Sequence, residues 1–221
     1  MKVKRQSFVL ITAAFAAAMM LSSCTTSEKA ATSATVPAAS TTGAKTLENL
    51  QTAFDGESNA NAKYSEFAKK ADAEGYTKVA SLFRAAARAE EIHLKNHAEV
   101  IKKMGGTPKA DIKLPEIKTT AENLKGAIEG ETYERDKMYV DFLAEARNVG
   151  NKDAVRTFNL AKAAEAEHAK LYGEALANLG SMKGGTTTYY VCSTCGYTTP
   201  DAKLEKCPVD FTTRDKFEEF K

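Results

Sequence analysis

Apolar and alanine positions recur at helical spacing from Thr46 to about Ala73, through Leu47, Leu50, Phe54, Tyr64, Phe67 and Ala68, with polar Asn61 the one exception. A second periodic run covers Thr77 to Met104 and stops at Gly105-Gly106. Only Glu74-Gly75-Tyr76 separates the two, a connection short enough to imply an antiparallel hairpin. The pattern then repeats: helices are predicted from about Thr120 to Asn148 and from Lys152 to Leu179, joined at Val149-Gly150-Asn151. Residues 105–118, with Pro108 and Pro115, form a longer link between the hairpins. The reading is an all-α four-helix bundle over residues 46–180 with one long crossover.

After Gly180 the pattern changes. Thr186-Thr187-Thr188-Tyr189-Tyr190-Val191 is β-prone, and Cys192-Ser193-Thr194-Cys195-Gly196-Tyr197 and Cys207-Pro208-Val209-Asp210 follow. Residues 186–221 are too few to hold together by an apolar core alone, so a small knuckle-type metal module is predicted there.

The other end reads as an export signal. Met1-Lys2-Val3-Lys4-Arg5 is basic, and the apolar stretch Phe8 to Leu21 is too short to be read first as a spanning helix. Leu21-Ser22-Ser23-Cys24 resembles the lipobox of bacterial lipoproteins. Residues 1–23 are thus expected to be removed, leaving Cys24 to carry the lipid. The chain would be exported and anchored on the periplasmic or cell-surface side of a bacterial membrane. Residues 24–45, mostly Thr, Ser and Ala, read as a disordered tether. Loss of Lys2, Lys4 and Arg5 turns the formal charge from +2 to −1. The basicity therefore belongs to the export signal, and nothing argues for nucleic-acid binding.

Chemistry enters through a duplication. Glu57 and Glu131 lie 74 positions apart, Glu90 and Glu165 lie 75 apart, and so do His93 and His168. Glu-x-x-His puts a carboxylate and an imidazole on one helical face. Glu57 is 17 residues before Glu74 and Glu90 is 16 after it. At about 1.5 Å of rise per residue, both stand roughly 25 Å from the turn. Glutamates converging on a bundle interior repel one another unless cations hold them. Oxygen-rich ligands with one or two imidazoles suit iron or manganese better than zinc or copper.

Gly56-Glu57-Ser58 with Tyr64, Glu90-x-x-His93, Gly130-Glu131-Thr132-Tyr133-Glu134 with Met138-Tyr139, Glu165-x-x-His168 and the C-terminal knuckle resemble the rubrerythrin family over residues 46–221. The resemblance implies a ferritin-like di-iron bundle joined to a rubredoxin-like iron centre, and two-electron reduction of hydrogen peroxide to water in oxidative-stress defence. It makes Glu57 and Glu131 terminal ligands, Glu90 and Glu165 bridges, and His168 the terminal imidazole of one iron. Glu134 and His93 match the pair between which the other iron moves with oxidation state. Tyr64 and Tyr139 match tyrosines that hydrogen-bond to ligands, although either residue on its own reads equally well as a core aromatic. Storage-type ferritin-like sites typically lack the extra glutamate at 134. His97, one turn beyond His93, reads as solvated or as a neighbour of the ligands rather than as a ligand.

The tail departs from the family. A rubredoxin-like site takes four thiolates, whereas this chain has Cys192, Cys195 and Cys207 with Asp210 in the fourth position. Three readings compete: iron with Asp210 as an oxygen ligand, zinc with the same ligands, or no metal. The resemblance also implies a homodimer, since in the family the two centres that exchange electrons come from different subunits. The electron donor is unknown. Two other functions stand against the peroxidase: a ferritin-like iron-binding or ferroxidase protein, and a redox sensor without turnover.

Overall fold

The structure, a computed structural model, describes residues 43–221. The expected signal, Cys24 and all of the tether but its last three residues lie outside the described residues. Five α-helices form two hairpins: α1 (Ala44–Ala73) with α2 (Thr77–Lys103), and α3 (Thr120–Tyr133) with α4 (Tyr139–Asn148) running on against α5 (Lys152–Ala177). The first helix starts two residues earlier than the sequence predicts, so Ala44 and Lys45 are helical.

The two hairpin turns close in the same way. Tyr76 N–H bonds to Ala71 O at 2.8 Å and Asn151 N–H to Ala146 O at 2.9 Å. Each turn puts a glycine at positive φ, Gly75 at 79° and Gly150 at 70°, where a side chain would clash with its own backbone. Asn151 caps α5 by accepting from Ala154 N–H, and Thr119 with Glu122 forms a reciprocal capping box at the start of α3.

The long crossover has no regular structure, so its backbone must find partners elsewhere. One outer stripe of α1 provides them. Asp55 and Asn59 accept from Asp111 N–H and Lys113 N–H, both at 2.7 Å, and Gln51 donates to Thr107 O, also at 2.7 Å. These three side chains stand one helical turn apart, which pins the crossover along α1.

The third long helix is interrupted. Between α3 and α4, Glu134–Met138 is π-helical, where the periodicity predicts one continuous helix. Corresponding residues are 74 apart up to Glu57 and Glu131, and 75 apart from Tyr64 and Tyr139 onward. One extra residue has entered the second copy between them, and the wider π turn absorbs it without shifting the flanking faces.

Two apolar clusters fill the bundle. One holds Tyr64, Phe67, Leu82, Phe83 and Tyr172; the other holds Leu50, Ile101, Tyr139, Leu143 and Phe158. Along α1, Glu57 falls between Ala53 of the second cluster and Ala60 of the first, so a polar layer separates the two.

The tail is a three-stranded antiparallel sheet in the order β2-β1-β3, from β1 (Tyr189–Cys192), β2 (Thr198–Thr199) and β3 (Phe217–Phe220). It is fastened to the bundle. Tyr189 and Val191 join the first apolar cluster, Arg88 makes a two-pronged ion pair with Glu218, and Arg84 donates to Lys221 O.

Candidate metal centres

All six residues of the duplicated frame meet in the polar layer. Glu57, Glu90, His93, Glu131, Glu165 and His168 come from four helices and are at most 1% exposed. Their donor atoms form two groups that fit a metal ion each: Glu57, Glu90, His93 and Glu165, and Glu90, Glu131, Glu165 and His168. Glu90 and Glu165 belong to both. The remaining members, Glu57 with His93 and Glu131 with His168, lie on opposite sides, and the imidazole rings are 6.2 Å apart.

Four carboxylate oxygens decide whether metals belong here. Glu57 Oε2, Glu90 Oε1, Glu131 Oε2 and Glu165 Oε1 are buried without a hydrogen-bond partner among the described residues, one from each glutamate; Glu165 Oε1 lies 2.9 Å from His93 Nδ1, which bonds to it only when that nitrogen carries a proton. Unpaired buried charge is strongly unfavourable, and an array of four such oxygens is what a pair of cations satisfies. Proton affinities agree. Burial first, and then neighbouring carboxylates, hold Glu57 and Glu131 well above the usual carboxylate range. For Glu165 burial acts in the same sense but is outweighed by His93 and His168, so its carboxyl is held low.

The tail fixes which nitrogen each histidine offers. His93 Nε2 lies 2.9 Å from the backbone carbonyl of Cys195, which can only accept, so Nε2 carries the proton. His168 Nε2 lies 3.1 Å from Thr198 Oγ1, whose own proton goes to Gly196 O. In its neutral form each imidazole therefore offers Nδ1 as the lone-pair nitrogen to a metal. His93 Nδ1 sits 2.8 Å from Glu90 Oε2, and His168 Nδ1 sits 2.8 Å from Glu165 Oε2. A ligand histidine oriented by a bond from its other nitrogen is a common feature of metal sites.

Glu134 stands apart from both groups. It is half-buried in the π turn, its Oε1 faces Gly56 on α1, and burial with Glu165 and Glu90 pushes its pKa up to about 8. Tyr64 donates to Glu131 and Tyr139 to Glu57. His97 is not solvated: it is fully buried and hydrogen-bonded at both ring nitrogens. Sequence reasoning left it aside, yet its position four after His93 put it on the same inward face.

In the tail, Cys192, Cys195 and Cys207 are buried free thiols, and the Asp210 carboxylate joins them in a four-residue group. Cys195 Sγ and Cys207 Sγ are 3.4 Å apart, and both Asp210 oxygens are 3.7 Å from Cys192 Sγ. Thr212 N–H, at 2.9 Å, holds the carboxylate in place. Hydrogen bonds from Cys195 and Cys207 hold the Cys192 thiol below its usual range.

The bundle matches the rubrerythrin family model over residues 48–176. The chain belongs to the rubrerythrin family. Nigerythrin of Nitratidesulfovibrio vulgaris is 37% identical over 183 residues, covering 82% of this chain and 90% of that protein. Rubrerythrin-2 of Clostridium acetobutylicum is 36% identical over 185 residues, covering 80% and 97%. A solved structure of fully reduced, all-ferrous nigerythrin superposes with a TM-score of 0.74 at 36% identity, over 79% of this chain and 86% of that one. A bacterioferritin of Desulfovibrio desulfuricans, at 22% identity and a TM-score of 0.62, shares the bundle fold. As a rubrerythrin-family protein the chain has a di-iron-type Glu/His cluster in the bundle and a cysteine-rich site in the tail.

Proposed function

We propose that this chain is a peroxidase, reducing hydrogen peroxide to two waters with two electrons and two protons, and drawing its electrons through the C-terminal centre. The observation that carries the reading is the bond from His93 Nε2 to Cys195 O. Cys195 belongs to the tail cluster and His93 to the bundle cluster, so one peptide carbonyl links the two. A centre docked on a ligand histidine gives electrons a short route into the bundle, which a peroxidase needs in every turnover.

Glu57, Glu90, Glu131, Glu165, His93 and His168 would hold two irons, or manganese in their place. Iron there supplies one electron per ion to the bound oxidant. The chain's own groups do the rest. Tyr64 and Tyr139 orient the terminal carboxylates, the apolar clusters above and below exclude water, and Glu134 is placed to carry a proton at the edge of the site. Cys192, Cys195, Cys207 and Asp210 would hold one iron, or zinc. We further propose export, lipid attachment at Cys24 and assembly as a homodimer, in the service of oxidative-stress defence; with the tail docked on the bundle of its own chain, the dimer is not needed as the electron route that the family resemblance implies.

The test is anaerobic. Reduced protein should be reoxidised much faster by hydrogen peroxide than by dioxygen, and should turn over with an artificial donor. Faster reaction with dioxygen and accumulation of iron would support storage or ferroxidase activity instead, and reversible oxidation of the tail without turnover would support a sensor. Acyl labelling that disappears in Cys24→Ala checks the anchor, and sedimentation checks the dimer.

A further inference from the structure

The two halves of the site match as far as the tyrosines and then diverge. In the 75-residue frame Tyr64 corresponds to Tyr139, Tyr172 to His97, and Leu82 to Thr157. Behind Tyr64 the path ends. Its ring meets Phe67, Phe83 and Tyr172, and the Tyr172 hydroxyl is buried without a partner among the described residues.

Behind Tyr139 it continues. His97 Nε2 lies 3.1 Å from the Tyr139 hydroxyl, and His97 Nδ1 lies 2.9 Å from Thr157 Oγ1. Thr157 in turn lines a polar cleft of about 70 Å³, together with Glu99, Lys103, Asp153 and Arg156. Water needs only roughly 10–15 Å³ of such space. A line of three hydrogen bonds thus runs from Thr157, at a polar cleft with room for water, to the metal-ligand carboxylate of Glu57.

The proton positions follow from valence. Tyr139 gives its single proton to Glu57, so its oxygen accepts from His97 Nε2–H. The His97 ring is fully buried and bonded only to two hydroxyls, neither of them a carboxylate, which favours the neutral form. A neutral ring with its proton on Nε2 has a lone pair on Nδ1, which accepts from the Thr157 hydroxyl. Every proton then points towards Glu57. The opposite polarity satisfies the same atoms equally well, with a protonated Glu57 donating to Tyr139, Tyr139 to Nε2, and Nδ1–H to Thr157. One arrangement becomes the other when a proton crosses from end to end.

We infer that Thr157, His97 and Tyr139 form a one-sided proton relay that delivers protons from the cleft to Glu57 during peroxide reduction. The inference rests on the peroxidase reading. For each proton delivered, Thr157 passes its hydroxyl proton to His97 Nδ1, His97 passes its Nε2 proton to Tyr139, and Tyr139 passes its own to Glu57. Thr157 regains a proton from cleft water, so no relay group gains or loses one. Each delivery leaves the line in the opposite polarity, and rotation of both hydroxyls and of the His97 ring turns it back. Two deliveries, with two electrons entering the site, bring the two protons that Glu57 hands to peroxide as its O–O bond breaks and two waters form.

The experiment uses the full-length metal-loaded protein. Anaerobically reduced Thr157→Val and His97→Gln should reoxidise with hydrogen peroxide about 10²-fold more slowly than the parent, the lower end of what positioned proton transfer contributes. Their bundle metal content should be unchanged, and Thr157→Ser should recover the parent rate. Nitrogen-15 NMR of zinc-loaded protein gives a readout free of turnover: His97 should carry one proton, on Nε2, and Thr157→Val should move the Nδ1 resonance. Parent-like rates in Thr157→Val and His97→Gln overturn the relay and leave the peroxidase standing. An equally slow Thr157→Ser, or a proton found on His97 Nδ1 in the zinc-loaded protein, overturns it as well. A parent protein inert to peroxide overturns the peroxidase reading itself and with it the delivery of protons to peroxide.

Discussion

Gly196 rests against the imidazole of His93. A Cβ on Gly196 would collide with His93 Nε2 and stand 3.2 Å from the Cβ of Ala89, and the backbone there has a φ of +77°. No residue with a side chain suits both conditions, so the glycine is what lets the knuckle reach the bundle. Gly196→Ala should destabilise the chain by about 1–3 kcal/mol, through left-handed strain plus the displaced contact. Electron transfer from tail to bundle should slow while both metal loadings persist. Stopped-flow reduction of the bundle centre measures this, and an unchanged rate would show that the docking is not the route.

Glu134 and the bridging pair should separate cleanly. Glu90→Ala or Glu165→Ala removes a carboxylate common to both donor groups and should lose the bundle metals. Glu134→Ala, outside both groups, should keep them and slow peroxide turnover by about 10² or more. Metal analysis beside peroxide assays decides it: equal metal loss in all three variants would make Glu134 a ligand first.

Much of this was legible in the sequence, and the reason is repetition. Ligands recurring at 74 and 75 positions fix a helical face twice over, and each copy corroborates the other. What stayed hidden was written in one copy only. The π turn follows from the change of interval between Glu131 and Tyr139, a one-residue discrepancy that helical periodicity tolerates. His97 has a tyrosine as its counterpart, so the duplication gave no hint of its burial. The docking of Gly196 and Thr198 on the two histidines depends on how the module meets the bundle, which no local pattern encodes.

Stability of the metal-free protein should fall as pH rises from about 6.5 to 8. Burial and neighbouring carboxylates raise the folded pKa of Glu57 and Glu131, and push that of Glu134 to about 8. Burial alone would lower His93 and His168, but the surrounding carboxylates outweigh it and raise them. All five groups bind protons more tightly when folded, so deprotonation in this window favours unfolding. His97 and Glu165 are shifted down and act below about pH 6.5 and 4.5, outside the window; Cys192, also shifted down, works against the trend inside it, as one group against five. Thermal melts of chelator-treated protein should show Tm dropping across it. Metal loading should flatten the slope, and a Tm that rises with pH in the metal-free protein would contradict the assignment.

Asp210 is placed to act as the fourth tail ligand. Protein expressed with iron should hold a third iron per chain and show thiolate-to-iron absorption. A hard carboxylate favours ferric over ferrous iron more than a thiolate does. Asp210→Cys should therefore raise the reduction potential of the tail centre and bring up the spectrum of a four-thiolate site. Two irons per chain and no such absorption in the parent would rule out the iron-carboxylate centre.

The π turn makes the two hairpins inequivalent. The second copy holds one residue more than the first between Glu131 and Tyr139, so Glu131 stands 74 residues from its counterpart while Tyr139, Glu165 and His168 stand 75 from theirs. Two halves of equal length could exchange places around the site without changing it; these cannot, because Glu134 opens a turn that the first copy lacks. Deleting one residue from 134–138 would equalise the halves, at the cost of the turn from which Glu134 faces the site.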